Sequence, residues 1–351
     1  MTFKRIIALV LLLLAALSCD SPDGYVTFSG YAQGGTYTVK FNMKDVKVRP
    51  EEIRDTVDSI LRRIDSSLSG YNKNSLLSRF NSGDAIRPDK IFVDIYEKSY
   101  QLYERTEGIV DVASAPLYDA WGFGFRNGEL PDDKMVKEAL EISGMGRLRK
   151  DLKTALSEEG TLTWDDLLKE GELPQVRLNY NAVAQGYSCD LVAGYLYSIG
   201  VRDMMVDIGE IYCDGKNPSG NSWTIGIDRP VDGNNEVGAQ IQGVFRVPDG
   251  PHGVVTSGNY RKFYVRDGKK YAHTVDPVTG YPVQHNLLCA TILAPDAFTA
   301  DAYATYCMVI GLEASKDFLA SRPDLEGCLV YDEGGEVRTW CSDGFVLLDA
   351  K

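Results

Sequence analysis

The sequence predicts an α/β protein of the α+β kind, built on mixed, mostly antiparallel sheet. Three observations carry that expectation. Strand-like and helical stretches follow one another without the regular βα alternation of a parallel sheet. Asp267-Gly268 stands between alternating runs, with Phe263, Val265 and Tyr271 at strand spacing, a strong short-range hairpin signal. No Gly-x-Gly-x-x-Gly and no phosphate-loop motif occurs, so the doubly wound nucleotide folds have no support.

Taken in order, Tyr25 to Asn42 alternates like two strands around Gly34-Gly35. From Glu51 to Leu68 the apolar Ile53, Val57, Ile60, Leu61, Ile64 and Leu68 share one helical face, and Pro50 suits the helix start. Ser69 to Asn72 breaks that helix, and Asn74 to Asn81 reads as a short helical turn. A second helix is expected over Ile91 to Thr106, closing at Gly108. Next, small residues surround Trp121, Phe123 and Phe125, which suits either a core aromatic cluster or a loop that admits a flat ring. Leu130 to Gly144 is expected to be helical. Residues 146–178 are polar and irregular, with short strands expected near Thr161–Trp164 and Val176–Leu178.

A strand should end near Asn179, and a helix should run from Val183 towards Gly200. Ala182, Ala184 and Gly186 at its start suit either close helix packing or an anion approaching bare N–H groups. Further strands are expected at Met204–Gly209, Ser222–Asp228, Gln240–Val247 and Leu287–Leu293. Thr256-Ser257-Gly258 reads as a small-residue turn. A helix is expected from about Thr299 through Ile310, ending at Gly311. Residues 313–349 suit a closing helix and a terminal hairpin.

Composition narrows the function. The 351 residues carry 50 acidic and 37 basic side chains, a net charge of −13. That balance argues against non-specific binding to nucleic acid or to an anionic membrane surface. An anionic ligand would need local help from backbone N–H groups or a divalent cation. At the amino terminus, Lys4-Arg5 precedes an apolar run from Ile6 to Leu17 and then Ser18-Cys19. This predicts a lipoprotein signal peptide over residues 1–18, with Cys19 as the lipidated first residue and residues 19–24 as a short tether. An exported protein held to a bacterial membrane by its lipid alone, with its periplasmic face the expected one, follows from that reading. Residues 25–351 then form one functional unit. Beyond Cys19 there are six cysteines, and their pairing is not legible in sequence; buried thiols are the plain expectation for most. With His252, His273 and His285 alone and no Cys-x-x-Cys, a zinc site is not expected.

Two constellations carry possible chemistry. HTVDPVTG (273–280) has turn formers, but a turn needs only the Asp-Pro and Thr-Gly, so His273 is surplus. It suits a general base or a strand-end cap. Asp301 and Thr305 are four apart on one helix face, where a carboxylate and a hydroxyl could grip Mg²⁺; Asp301 equally suits helix capping.

Seven motifs in order then resemble the FAD:protein FMN transferase family, called ApbE. They are GGTYTV (34–39), SGYNKNSLLSRFN (69–81), DVASAPLYDAWGFG (111–124), NYNAVAQGYSCD (179–190), SGNY (257–260), HTVDPVTG (273–280) and ADAYAT (300–305). The resemblance implies a bilobal fold with FAD in a cleft between the lobes. It implies an enzyme that cleaves FAD with Mg²⁺ and attaches FMN by a phosphoester to a Thr or Ser of an acceptor. Acceptors of the family are subunits of ion-pumping NADH:quinone reductases and Rnf-type complexes. By the same resemblance, Tyr71, Trp121, Gly122 and Phe123 should contact the flavin. Asn179, Gln185, Ser257 and Thr274 stand at cofactor-binding positions. His273 and Asp276 should be catalytic, the latter as an orienting group. Asp301, Thr305 and the Ala182 carbonyl should hold the metal. The chain departs from the family pattern at Gly34, Ala113, Asn179 and Gln185. FAD hydrolysis to FMN and AMP, and FAD storage without chemistry, are the competing readings.

Overall fold

The computed structural model describes residues 24–124, 130–172, 175–230, 240–259, 263–266 and 269–348. The expected signal peptide and lipidated Cys19 lie outside the described residues, as do Phe125, Tyr260 and the Asp267-Gly268 pair on which a hairpin was expected.

The chain opens with a hairpin of β1 (Tyr25–Ala32) and β2 (Gly35–Asn42). Gln33 and Gly34, both at positive φ (52° and 83°), form its two-residue turn, the backbone a tight twisted hairpin requires. Helix α1 (Pro50–Leu68) starts on the proline and buries Ile53, Val57, Leu61, Ile64 and Leu68. Short α2 (Leu76–Asn81) is capped by Ser75, and α3 (Lys90–Arg105) by Asp89. Then follow α4 (Ala115–Ala120), α5 (Asp133–Glu141), α6 (Leu152–Ala155) and α7 (Trp164–Leu167). Strands expected at 161–164 and 176–178 are reduced to single bridges, Ile86–Leu162 and Ser114–Arg177. Thr163 and Asp166 form a capping box there, so the backbone turns into α7 instead of extending.

The second half is helix α8 (Ala184–Ser198), strands β3 (Met204–Asp207), β4 (Ile211–Asp214), β5 (Thr224–Asp228), β6 (Ile241–Arg246), β7 (His252–Gly258), β8 (Phe263–Arg266), β9 (Lys269–Ala272) and β10 (Leu287–Ala294), helices α9 (Ala297–Ile310) and α10 (Leu312–Ala320), and strands β11 (Glu326–Glu333), β12 (Glu336–Cys341) and β13 (Leu347–Leu348). One large sheet runs β1-β2-β3-β4-β7-β10-β11-β12. Every ladder between named strands is antiparallel, as the sequence predicts.

Strand alternation divides the sheet between two cores. Tyr212, Val255, Ile292 and Leu329 face the helices α1, α3, α8 and α9 in the main core. Their neighbours Cys213, Val254, Leu293 and Cys328 face a three-stranded sheet ordered β13-β6-β5, packing on Trp223, Ile225 and Phe245. Thr256-Ser257-Gly258, expected to turn, is the end of β7. Beyond the reach of β4, which pairs only with residues 252–254, they are held extended by the ladder to β10, which overrides their turn preference.

Candidate active site

The site is built where α8 and α9 cross. Gly186, three residues into α8, meets the first turn of α9 so closely that a Cβ would lie 2.2 Å from the Ala297 carbonyl oxygen and 2.9 Å from Asp301 Cβ. Close packing therefore explains the glycine. Four residues on, and so on the same face, Asp190 reaches the same helix start. Its Oδ1 accepts from Ala297 N–H at 2.8 Å and its Oδ2 from Phe298 N–H at 2.9 Å. Asp296 caps α9 itself, accepting from Thr299 N–H at 2.7 Å. Sequence reading passed over Asp190 as a site residue; its spacing from Gly186 was the available signal. Gly186→Ala is expected to lose about 1–3 kcal/mol of stability, because backbone rather than a flexible side chain blocks the methyl group. Denaturant unfolding checks this, and a neutral result would contradict the crossing.

Because α9 begins at Ala297, Asp301 falls in its second turn and is not a cap. It is buried, 5% exposed, and its Oδ2 accepts from Gly186 N–H at 3.1 Å. As the third residue of α8, behind the N-cap Val183, Gly186 has an N–H that the helix itself leaves without a partner, and Asp301 satisfies it. The Ala182 carbonyl precedes the cap and stands outside the helical ladder. Thr305 is half-buried one turn beyond Asp301 on the same face. Burial pushes the Asp301 carboxyl up to about 8, with Asp190 adding to the effect against the Gly186 hydrogen bond. Burial likewise pushes Asp190 up to about 7, with Asp296 contributing. Asp190 has both oxygens committed to the α9 start, whereas Asp301 and Thr305 offer a carboxylate and a hydroxyl on one helix face, an all-oxygen pair. That pair fits a hard cation such as Mg²⁺. Among the described residues no cluster of three His, Cys, Asp or Glu is placed to hold a metal ion.

The second half of the site is the segment after β9. Trp121, expected either at the flavin end or in a core aromatic cluster, packs into a small core. It is 5% exposed, stacks on Tyr271 at 5.8 Å, and donates from Nε1 to the Gly280 carbonyl at 2.8 Å. Its large apolar ring is better served by the small core of Leu117, Val136, Ala139 and Val275 than by solvent. Gly280, at φ 80°, closes the turn where a Cβ would press on Val136 at 3.0 Å. Asp276, expected as an orienting group, is held within the turn itself. Its Oδ1 accepts from Val278 N–H at 2.9 Å and its Oδ2 from Thr279 Oγ1 at 2.8 Å, so both oxygens shape the 276–280 turn. With Thr274 buried and its carbonyl bonded to Val283 N–H, the segment is fixed on both sides of half-buried His273. The His273 ring lies edge-on to Phe123, centroids 6.4 Å apart. Phe123 follows Gly122 (φ 72°) and is half-buried.

The remaining predicted residues surround the start of α8. Tyr71 is 68% exposed and its hydroxyl accepts from Asn181 Nδ2 at 3.5 Å. Asn179 is buried, and its Oδ1 accepts from Asn181 N–H at 2.9 Å. Gln185 donates from Nε2 to the Ile208 carbonyl at 3.1 Å. Ser257 lies half-buried on β7 opposite Ala290. Bare N–H groups for an anion are fewer here than the sequence suggested, since Ala184 N–H bonds Tyr180 and Gly186 N–H bonds Asp301. A residue that sequence reading missed stands at the end of β7. Asn259 is buried, its Nδ2 donates to the Leu287 carbonyl at 3.0 Å, and among the described residues its Oδ1 has no hydrogen-bond partner.

A buried carboxylate at a helix crossing and a histidine on an anchored turn thus stand on one antiparallel α/β scaffold. Comparison with known proteins gives the family. The model of the ApbE family matches residues 33–329. "FAD:protein FMN transferase" of Haemophilus influenzae is 31% identical over 98% of this chain and 98% of its own length. The protein of the same name from Vibrio cholerae is 32% identical over 88% of each. The flavin transferase ApbE structure from Vibrio cholerae superposes with a TM-score of 0.74 at 28% identity, covering 91% of this chain and 97% of that one. The apo flavinyl transferase ApbE of Pseudomonas stutzeri gives 0.75 at 29% identity, covering 90% and 94%. The chain belongs to the ApbE family.

Proposed function

We propose that this chain is a Mg²⁺-dependent transferase that cleaves FAD, joins FMN through a phosphoester to a Thr or Ser hydroxyl of an acceptor protein, and releases AMP. The observation that supports the reading is Asp301, buried at the helix crossing and accepting from Gly186 N–H, with Thr305 one turn on along the same face. Asp301, Thr305 and the Ala182 carbonyl would hold the cation. When bound, Mg²⁺ supplies charge stabilisation at the pyrophosphate oxygens, which a chain of net charge −13 otherwise opposes.

The chain's own residues supply position and a proton acceptor. The acceptor hydroxyl oxygen forms a bond to the FMN phosphorus, the bond from that phosphorus to the AMP oxygen breaks, and the hydroxyl proton passes to His273. A hydroxyl is a weak nucleophile, and His is the side chain best suited to take its proton near neutral pH. Asp276 acts on this step only by holding the turn that presents His273. Tyr71, Phe123, Asn179, Gln185, Ser257 and Thr274 are the residues proposed to hold FAD. The leader supports an exported, lipid-anchored protein, and subunits of ion-pumping NADH:quinone reductases or Rnf-type complexes are the proposed acceptors. The test is incubation with FAD, Mg²⁺ and a domain bearing a candidate Thr. A mass gain of one FMN on the domain, with AMP released, is expected. Free FMN and AMP without that gain would show a hydrolase, and unchanged FAD would show a binding protein.

A further inference from the structure

We propose that Cys328 and Cys341 form a reversible disulfide that staples the edge strand β12 to β11 when the protein meets an oxidising disulfide. The two residues are direct partners in the β11–β12 ladder. Ser342 N–H donates to the Gly327 carbonyl at 2.9 Å, which makes 327/342 a hydrogen-bonded rung. The next rung, 328/341, is then of the non-hydrogen-bonded kind, where Cα atoms stand about 4.5 Å apart and side chains approach most closely. That spacing is within the roughly 4.4–6.8 Å that a disulfide spans.

Access and reactivity point the same way. Cys328 is fully buried, while Cys341, on the outermost strand, is half-exposed. The Cys328 thiol holds Cys341 below the usual thiol range, and serving as donor with burial holds Cys328 above it. Cys341 is therefore the sulfur that meets an oxidant first. Its thiolate attacks a small disulfide such as oxidised glutathione, forming a mixed disulfide and releasing one thiolate. Cys328 then attacks the Cys341 sulfur, loses its proton, and releases the second thiol. Two protein thiols are oxidised and one glutathione disulfide is reduced to two thiols. Cys289 is the nearest competitor; it faces Val330, which places it diagonally from Cys328 at roughly 7–8 Å, beyond easy bridging.

Trypsin tests this, because Arg338 lies between the two cysteines. The folded full-length protein is equilibrated with oxidised glutathione, acid-quenched, alkylated and digested. Peptides 317–338 and 339–351 are expected as one cross-linked species, lighter than their sum by two hydrogens and separated by reductant. Cys289→Ser should keep the cross-link and Cys341→Ser should abolish it. Full alkylation of both cysteines after oxidation, a stable glutathione adduct on Cys341 alone, or a cross-link lost in Cys289→Ser would overturn the proposal. None of these results bears on flavin transfer.

Discussion

Asp301→Ala is expected to lower FMN transfer by about 10³-fold or more in saturating FAD and Mg²⁺, because it removes the one carboxylate of the proposed cation site. Charge stabilisation by a metal is worth several kcal/mol, and each ~1.4 kcal/mol is tenfold in rate. The same residue should reveal itself in stability without any turnover. Its carboxyl, ordinarily at 3.8, is pushed by burial up to about 8 in the folded, metal-free chain. Between those values the unfolded chain has released a proton that the folded chain retains. Stability therefore falls as pH rises from about 4 to about 8. Asp301→Asn keeps an acceptor for Gly186 N–H but has no proton to lose. In chelator, the Asn variant should lose less stability than the parent between pH 5 and pH 8. Asp190, pushed up to about 7, leaves both proteins a residual slope of the same sign. Mg²⁺ should restore the parent at pH 8 and leave the variant unchanged. Equal slopes for the two proteins, with no differential effect of Mg²⁺, would remove Asp301 from the site.

His273→Ala is expected to reduce transfer by about 10²–10⁴-fold, the usual contribution of a positioned general base. FAD affinity and folding should change little. The segment carrying His273 is anchored by groups other than its ring: the Thr274 carbonyl to Val283, Asp276 to the turn, and Gly280 to Trp121. Single-turnover transfer with FAD binding measured in parallel separates the two effects. A variant that transfers at near-parent rate would give the base role to another group. One that fails only through lost FAD affinity would make His273 a binding residue.

The scaffold was legible where local pattern and tertiary demand agree. The apolar face of Glu51–Leu68 and the Gly34 turn gave a helix and a hairpin within a residue or two. It was illegible where packing overrides local preference. Thr256-Ser257-Gly258 has turn residues but is the end of an interior strand, and Thr161–Trp164 loses to a capping box. In the site, the helix spacing placed Asp301 and Thr305 on one face. The capping reading of Asp301 failed because the helix starts at Ala297, two residues earlier than expected, and Asp296 takes that role. Trp121 shows the converse. Its neighbours are small, yet the carbonyl it meets is that of Gly280, 159 residues away, and no local signal carries that contact. Asp190 was hidden in the same way, since its partners belong to a helix more than a hundred residues later.

The most direct test is a crystal of this protein soaked with FAD and Mn²⁺, read by anomalous scattering. An anomalous peak bonded to the Asp301 carboxylate, the Thr305 hydroxyl and the Ala182 carbonyl, with the FAD pyrophosphate beside it, is the predicted result. A structure with FAD bound and no metal at those three oxygens would contradict the account.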